Sequence, residues 1–461
     1  MSSARASPEY EESILEIMSL FNALGGGVWT AVIFIIALSV IVAIHEYGHY
    51  IVGRWSGIHA DVFSLGFGPV IFARTDKHGT QWQIALLPLG GFVKFAGDAD
   101  AASAGKDDEA FEGLNEAELR RTMHGAPLWA RAATVAAGPM FNFALSIIVF
   151  FVFFMFSGKA VDPVTVGEIR TYPQAETSLL VGDQIRKING QTPPEDAVGY
   201  RTFIDALPKD SLLPYTVGRG DEEIIVMAPH PSPPAVSMVA ARSAARTAGM
   251  QIDDVITAVD GQPVASFDQM RDIILASEGQ PVVLDVWRGG ETLQVTLSAR
   301  ERDHQLADGS FEKRWQIGLS GGVLFTPARE GAGIWESASG AVQQTWAIIS
   351  GSLEGLYHIF VGTISTCNLN GPVGMAQNVS AFAEAGIADF IRFIALLSTA
   401  VGLLNLFPIP VLDGGHLVFF AWEAVTGKPP SEKALRILMS IGLTVMLLVM
   451  TFALGNDLLC K

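Results

Sequence analysis

The chain is poor in charge. Only 17% of its 461 residues are Asp, Glu, Lys or Arg, where a soluble protein averages roughly a quarter. The shortage is local, because several long stretches carry no charge at all. That excludes a wholly soluble protein and points to an integral membrane protein with soluble parts. Basic residues are scarcer than acidic ones, 30 against 47, for a net charge of −17. No basic patch is left to neutralise phosphates, so nucleic acid is excluded as a partner. Cysteine is nearly missing, with only Cys367 and Cys460 present. Two are too few for a disulfide framework or a cysteine-based zinc site, and a bridge between them is not expected. The first apolar run lacks a basic region ahead of it. It therefore reads as a retained anchor rather than a cleavable signal. The surplus acid gathers in Glu9 to Glu16 and in "GDADAASAGKDDEAFEGLNEAELRR", from Gly97 to Arg121, which reads as a solvated segment.

What is present is long apolar runs. Four can span a bilayer, which takes about 20 residues: Val28 to Val52, Ala132 to Phe156, Phe393 to Leu412, and Ile437 to Leu454. The third contains "FPIP" near its end and is expected to break there. Orientation follows from basic residues in short loops. The loop after the first run carries Arg54, Arg74, Lys77, Lys94 and others, and the loop after the third carries Lys428, Lys433 and Arg436. Both basic loops are expected in the cytoplasm, with both termini outside, including the tail of residues 1–27. The region from about Ser157 to Ile391 is then extracytoplasmic.

That region holds an internal repeat. "LLVGDQIRKINGQTP" (Leu179 to Pro193) is similar to "GMQIDDVITAVDGQPV" (Gly249 to Val264). Asp183 aligns with Asp254, Ile185 with Ile256 and Gly190 with Gly261, an offset of 71 residues. Each copy continues with a helix-like stretch and two strand-like runs around a Gly-containing turn. The pattern resembles PDZ domains at residues 160–230 and 235–300, with two generic β-rich domains as the alternative. Beyond them, in residues 335–387, Val342, Trp346, Ile349, Leu353, Leu356 and Phe360 recur at steps of three and four. They mark one face of an amphipathic helix. It is expected on the outer membrane surface or against the PDZ-like pair, with an ordinary core helix as the alternative. The fold class is a polytopic α-helical membrane protein with four transmembrane helices and a membrane-associated β-hairpin. Two extracytoplasmic PDZ-like α+β domains are inserted, and residues 388–461 carry the last two spans.

The chemistry sits at the end of the first run, in "HEYGH". His45 and His49 are four apart, so on a helix both imidazoles reach one ion. Glu46 lies about 100° round from His45, placed to take a proton from water rather than to bind metal. Zinc would supply the acidity, lowering the pKa of a bound water to about 7. A catalytic zinc usually has a third protein ligand, and nothing close by offers one on a helix. Asp413, in "NLFPIPVLDGGH", is another ionisable group at membrane depth and falls on the same side by the charge rule. His416 is a rival ligand, ranked second. Ionisable groups inside a membrane are costly and mark function. A membrane-anchored PDZ scaffold with a non-catalytic metal site and an ion pathway are the rival readings.

HEYGH together with N-x-x-P-x-P-x-L-D-G, four spans and a tandem PDZ-like insert resembles the bacterial site-2 proteases, which are intramembrane zinc metalloproteases. "AAGPMFNF" (Gly138, Pro139, Asn142) and "LNGPVGMAQ" (Gly371, Pro372) are also similar to family stretches. The resemblance implies one catalytic zinc held by His45, His49 and Asp413, with Glu46 as the base. It implies that "WQIALLPLGGFVKF", hairpin-like around Gly90 and Gly91, is a re-entrant β-loop that binds substrate as an added strand. It further implies that Asn405, Pro408 and Pro410 hold substrate or shape the site. The expected partners are the lipid bilayer and single-span membrane proteins, such as anti-sigma factors or remnant signal peptides. The PDZ-like pair is expected to contact their external regions or regulators, and the location to be a bacterial inner membrane. The N-terminal tail and the acidic loop look longer than the family pattern.

Overall fold

The computed structural model describes residues 26–98, 115–170, 172, 177–194, 197–305 and 311–459. The N-terminal tail, most of the acidic loop and Cys460 lie outside these residues. The chain divides into two compact units. One comprises residues 1–150, 341–354 and 369–458, and the other residues 151–340, 355–368 and 459–461.

The first unit opens with α1 (Gly26–Trp55), which carries no charge from Gly26 through Ile44. Strands β1 (Ala60–Thr75) and β2 (Gln81–Phe95) then fold over each other twice. Residues 62–65 pair with 81–84 on one side and 91–94 on the other, and 72–75 pair with 81–84. The result is four extended stretches in the order 91–95, 60–65, 81–85, 70–75, with 91–95 at an edge. The expected hairpin is thus a fold-back between Ala85 and Gly91 inside a larger sheet. Tyr50 from α1 packs with Phe63, Val93, Phe95 and Met123 in one apolar cluster. Asp76 fixes the sheet's turn to α1: its Oδ2 accepts from Tyr50 Oη at 3.3 Å and Trp82 Nε1 at 3.1 Å. Phe67, Ile71, Phe72, Leu86 and Leu87, around the far end, stay exposed. Helix α2 (Leu128–Ser157) follows and keeps Pro139 within it.

In the second unit each repeat copy builds its own core. The first copy has β3 (Val166–Ile169), β4 (Gln184–Ile188), α3 (Ala197–Ala206), β5 (Leu213–Arg219) and β6 (Glu222–Ala228). Tyr215, Ile188 and Val217 sit at its centre. The second has β7 (Val236–Val239), β8 (Val255–Val259), β9 (Gln262–Pro263), α4 (Phe267–Ala276), β10 (Pro281–Arg288) and β11 (Glu291–Ser298). Ile256, Leu284 and Val286 form its core. A hairpin, β12 (Arg300–Gln305) with β13 (Phe311–Gln316), extends beyond residue 300. The chain then returns through both copies. β14 (Leu319–Gly321) pairs with β7 and β15 (Phe325–Pro327) pairs with β3. The repeat boundary at residue 230 therefore leaves out a strand of the first copy, because pairing across some 150 residues has no local sequence signal.

The aligned aspartates explain why the repeat looks alike. Asp183 receives Arg219 Nε at 2.8 Å and Nη2 at 2.7 Å, and its Oδ2 also accepts Leu180 N at 2.8 Å. Asp254 receives Arg288 Nε at 2.6 Å and Nη2 at 2.7 Å, and Gln251 N at 2.8 Å. Each two-pronged ion pair pins the turn before a strand to the end of the neighbouring strand hydrogen-bonded to it.

Helix α5 (Ile334–Phe360) leaves Val342, Trp346, Leu353 and Phe360 of its apolar face exposed. Cys367, just beyond it, is disulfide-bonded, although no bridge was expected. One pair is enough for a bridge whatever its separation in sequence, which composition alone does not reveal. Further along, before the third apolar run, the chain forms α6 (Pro372–Ala385). Its N-terminal amides are capped from afar, by Asp457: Gly371 N donates at 2.9 Å, and Val373 N and Gly374 N at 3.0 Å each. The third apolar run was expected to break at FPIP, and α7, Ile387–Asn405, ends just before it. Pro408 and Pro410 lack an N–H and disfavour helix in the residue before them. Asp413 instead opens a separate helix, α8 (Asp413–Thr426), and α9 (Glu432–Leu459) closes the chain. α1, α2, α7 and α9 are the four helices long and apolar enough to cross a membrane among the described residues.

Asp254→Ala should destabilise the second unit by roughly 2–3 kcal/mol, since Arg288 loses a buried partner; thermal unfolding in detergent measures this. The Arg219 guanidinium holds the Asp183 carboxyl below the usual carboxylate range. Its contribution is therefore whole above the unfolded value of about 3.9 and fades as pH falls through the lower folded value. The stability gap between wild type and Asp183→Asn should be constant near neutrality and close in strong acid.

Candidate metal centre

α1 places His45 and His49 one turn apart, both buried. Their Nε2 atoms lie 3.1 Å apart. Asp413 Oδ2 lies 3.2 Å from His45 Nε2 and 3.5 Å from His49 Nε2. Bonds of about 2.0–2.1 Å at a tetrahedral zinc separate ligand atoms by about 3.3–3.4 Å. The three observed separations bracket that value, and Asp413 Oδ2 is buried against the two imidazole nitrogens. The donor set, two nitrogens and one carboxylate oxygen, fits zinc with one position left open. Among the described residues it is the group of this kind that could hold an ion. Asp413 occupies the first turn of α8, where the helix dipole favours a carboxylate. His416, one turn on, lines the same cavity but lies outside the triangle.

Helix α2 supports the pair from behind. Thr134 O lies 2.9 Å from His49 Nδ1, and Asn142 Nδ2 lies 3.1 Å from His45 Nδ1. Between them is Gly138, where a Cβ would lie 2.2 Å from His49 Nε2 and 2.8 Å from His45 Cε1. The two imidazoles therefore occupy the space that a side chain would fill. Thr134, Gly138 and Asn142 are spaced by four and so share one face of α2. That stripe was visible in the sequence, but its role was not read from it. α2 also holds α8: Arg131 donates to both oxygens of Glu423, Nη2 to Oε1 at 2.6 Å and Nη1 to Oε2 at 3.1 Å.

A cavity of about 310 Å³ opens beside the triangle, lined by Glu46, Gly91, Phe92, Val93 and Phe419 along with His45, His49 and Asp413. A Cβ on Gly91 would lie 3.0 Å from Glu46 Cγ and 2.8 Å from Ser64 O. The edge stretch 91–95 thus runs directly against Glu46. The other residues expected at substrate lie elsewhere, since Gly90, Asn405, Pro408 and Pro410 do not line this cavity. Gly90 sits under the Phe67 ring, and Pro410 packs against Gly442 of α9.

A model of Peptidase family M50 matches residues 33–449. A Rhizobium meliloti (strain 1021) protein bearing a provisional zinc metalloprotease name is 34% identical over 432 residues, covering 93% of this chain and 96% of that protein. The "Regulator of sigma-E protease RseP" of Salmonella typhimurium (strain 14028s / SGSC 2262) is 32% identical, covering 93% of this chain and 98% of its own. Its namesake in Escherichia coli (strain K12) is 31% identical with the same coverage.

Gly138→Ala should strip the metal without unfolding α2, because alanine favours a helix while its methyl displaces the imidazoles. Metal analysis of the purified variant should show zinc falling well below the wild-type content, as for His45→Ala and Asp413→Ala.

Proposed function

The chain belongs to peptidase family M50, and on that premise we propose that it is an intramembrane zinc metalloprotease. It hydrolyses a peptide bond in or beside the transmembrane segment of a single-span membrane protein. The observation that carries this reading is the triangle of His45, His49 and Asp413, with Glu46 in the same cavity, at one end of a membrane-length helix.

Bound zinc supplies Lewis acidity, polarising the scissile carbonyl and acidifying water. Glu46 takes a proton from the attacking water on a carboxylate oxygen and delivers it to the leaving amide nitrogen. The C–N bond breaks, the water oxygen ends in the new carboxyl group, and that group's remaining proton passes to the released amine. A helical substrate must first become extended, and its freed backbone groups need partners in a low-dielectric site. The 91–95 edge offers an unpaired row of such groups beside Glu46, so the substrate joins the sheet as a further strand. Gly91 lets it approach.

In this reading both termini and the repeat-bearing unit face outside, in the periplasm of an inner membrane, and the exposed apolar face of α5 rests on the bilayer surface. The two repeat copies act as PDZ-like modules that screen the substrate's external region. Membrane anti-sigma factors and remnant signal peptides are the expected substrate class.

Glu46→Gln should keep its zinc and cut a model single-span substrate roughly 10²–10⁴-fold more slowly; full activity would end this mechanism. A substrate with a bulky external domain should be cut several-fold more slowly than the same span with that domain removed. Equal rates would end the screening role.

A further inference from the structure

Each zinc-facing imidazole has a second nitrogen, and both of these point at α2. For His49 the partner is a backbone carbonyl, Thr134 O, at 2.9 Å. A carbonyl only accepts, so His49 Nδ1 carries the proton and Nε2 is bare. For His45 the partner is the side chain of Asn142, which is completely buried and whose amide nitrogen lies 3.1 Å from Nδ1. Asn142 Oδ1 meets no donor among the described residues. His45 Nε2 faces His49 Nε2 at 3.1 Å and Asp413 Oδ2 at 3.2 Å. To bind a metal there it must be bare, which places the His45 proton on Nδ1 and requires an acceptor opposite. The two ends of a carboxamide are nearly isosteric, and its sense is set by the network around it. The unengaged Oδ1 is the acceptor at hand.

We infer that Asn142 is a positioning residue for the metal centre: its side-chain oxygen accepts the Nδ1 proton of His45, which fixes the tautomer that turns Nε2 toward zinc. The surroundings hold Asn142 in place. Its backbone O accepts from Ser398 Oγ of α7 at 2.9 Å, and a Cβ on Gly402 would lie 3.1 Å from its own Cβ. One turn on, Thr399 Oγ1 donates to Ser146 Oγ at 2.6 Å. α7, which leads to Asp413, is thereby fastened to the residue that orients His45, so ligands from distant parts of the chain share one support.

The inference rests on the zinc reading, and the test separates the two. The full-length protein is purified in detergent, and zinc affinity is measured by competition with a chromogenic chelator for wild type, Asn142→Leu and Asn142→Asp. Leucine keeps the volume without an acceptor, whereas aspartate is isosteric and only accepts. The expected result is a 10–100-fold loss of affinity for Asn142→Leu, the usual effect of removing such a partner, with wild-type affinity or better for Asn142→Asp. If Asn142→Asp loses zinc as wild type keeps it, the inference is overturned, because an acceptor does not suffice. Wild-type affinity in Asn142→Leu overturns it as well, since no polar partner would then be needed. Should Asn142→Leu fail to fold, the isosteric Asn142→Asp decides alone. A wild-type protein that takes no zinc overturns the metal reading itself.

Discussion

Two imidazole nitrogens and one carboxylate oxygen held 3.1 to 3.5 Å apart are the constraint on which the surrounding structure depends. These groups repel or compete unless something cationic sits among them, and a low-dielectric setting strengthens the effect. The rest of the first unit keeps them in place. α2 gives up a side chain at Gly138 and offers one acceptor to each histidine from the neighbouring turns. It also grips α8 through the Arg131–Glu423 pair, so the helix bearing Asp413 has the same backing as the helix bearing the histidines. The proline-containing break after α7 turns the chain so that Asp413 starts a helix aimed at the pair.

A second demand comes from the backbone. Inside a membrane every N–H and C=O needs a partner, and the unit pairs its strands in a way that also leaves one edge free at the cavity. Strands β1 and β2 fold over each other so that most of their groups are paired internally, and the stretch 91–95 keeps one free edge beside Glu46. Asp76 clamps the sheet to the end of α1, which ties the position of that edge to the position of the histidines. At the opposite end of the same unit, the buried Asp457 carboxylate covers the N-terminal amides of α6, while α6 packs on the apolar half of α1 through Val379, Ile33 and Ile41. The helix that carries His45 and His49 is thus braced near both ends.

In the second unit, duplication is visible in chemistry as well as in sequence. The Asp183–Arg219 and Asp254–Arg288 pairs repeat the same two hydrogen bonds and the same capped turn. The arginines occur at an offset of 69 and the aspartates at 71, so the copies differ by two residues between these positions while the geometry is kept. The return of the chain makes the first copy depend on the second: β3 gains its partner strand β15 only after the chain has completed the second copy.

Local pattern by itself determined a good deal. The apolar runs marked the four helices long and apolar enough to cross a membrane, since about 20 uncharged residues have few other uses. The H-E-x-x-H spacing showed that two imidazoles share a helix face, and the scarcity of ionisable groups at membrane depth singled out Asp413. The repeat was legible because both copies keep the residues of one turn. What only the tertiary structure decided involves partners far apart in the chain. These include the four-stretch sheet in place of a simple hairpin, the bonded state of Cys367, and the strand that crosses back to the first copy. The stripe of Thr134, Gly138 and Asn142 is the clearest case. Its spacing marks a helix face, but a small residue flanked by polar ones acquires its meaning only from what lies opposite. Periodicity specifies which side chains point the same way, and only packing specifies what they meet.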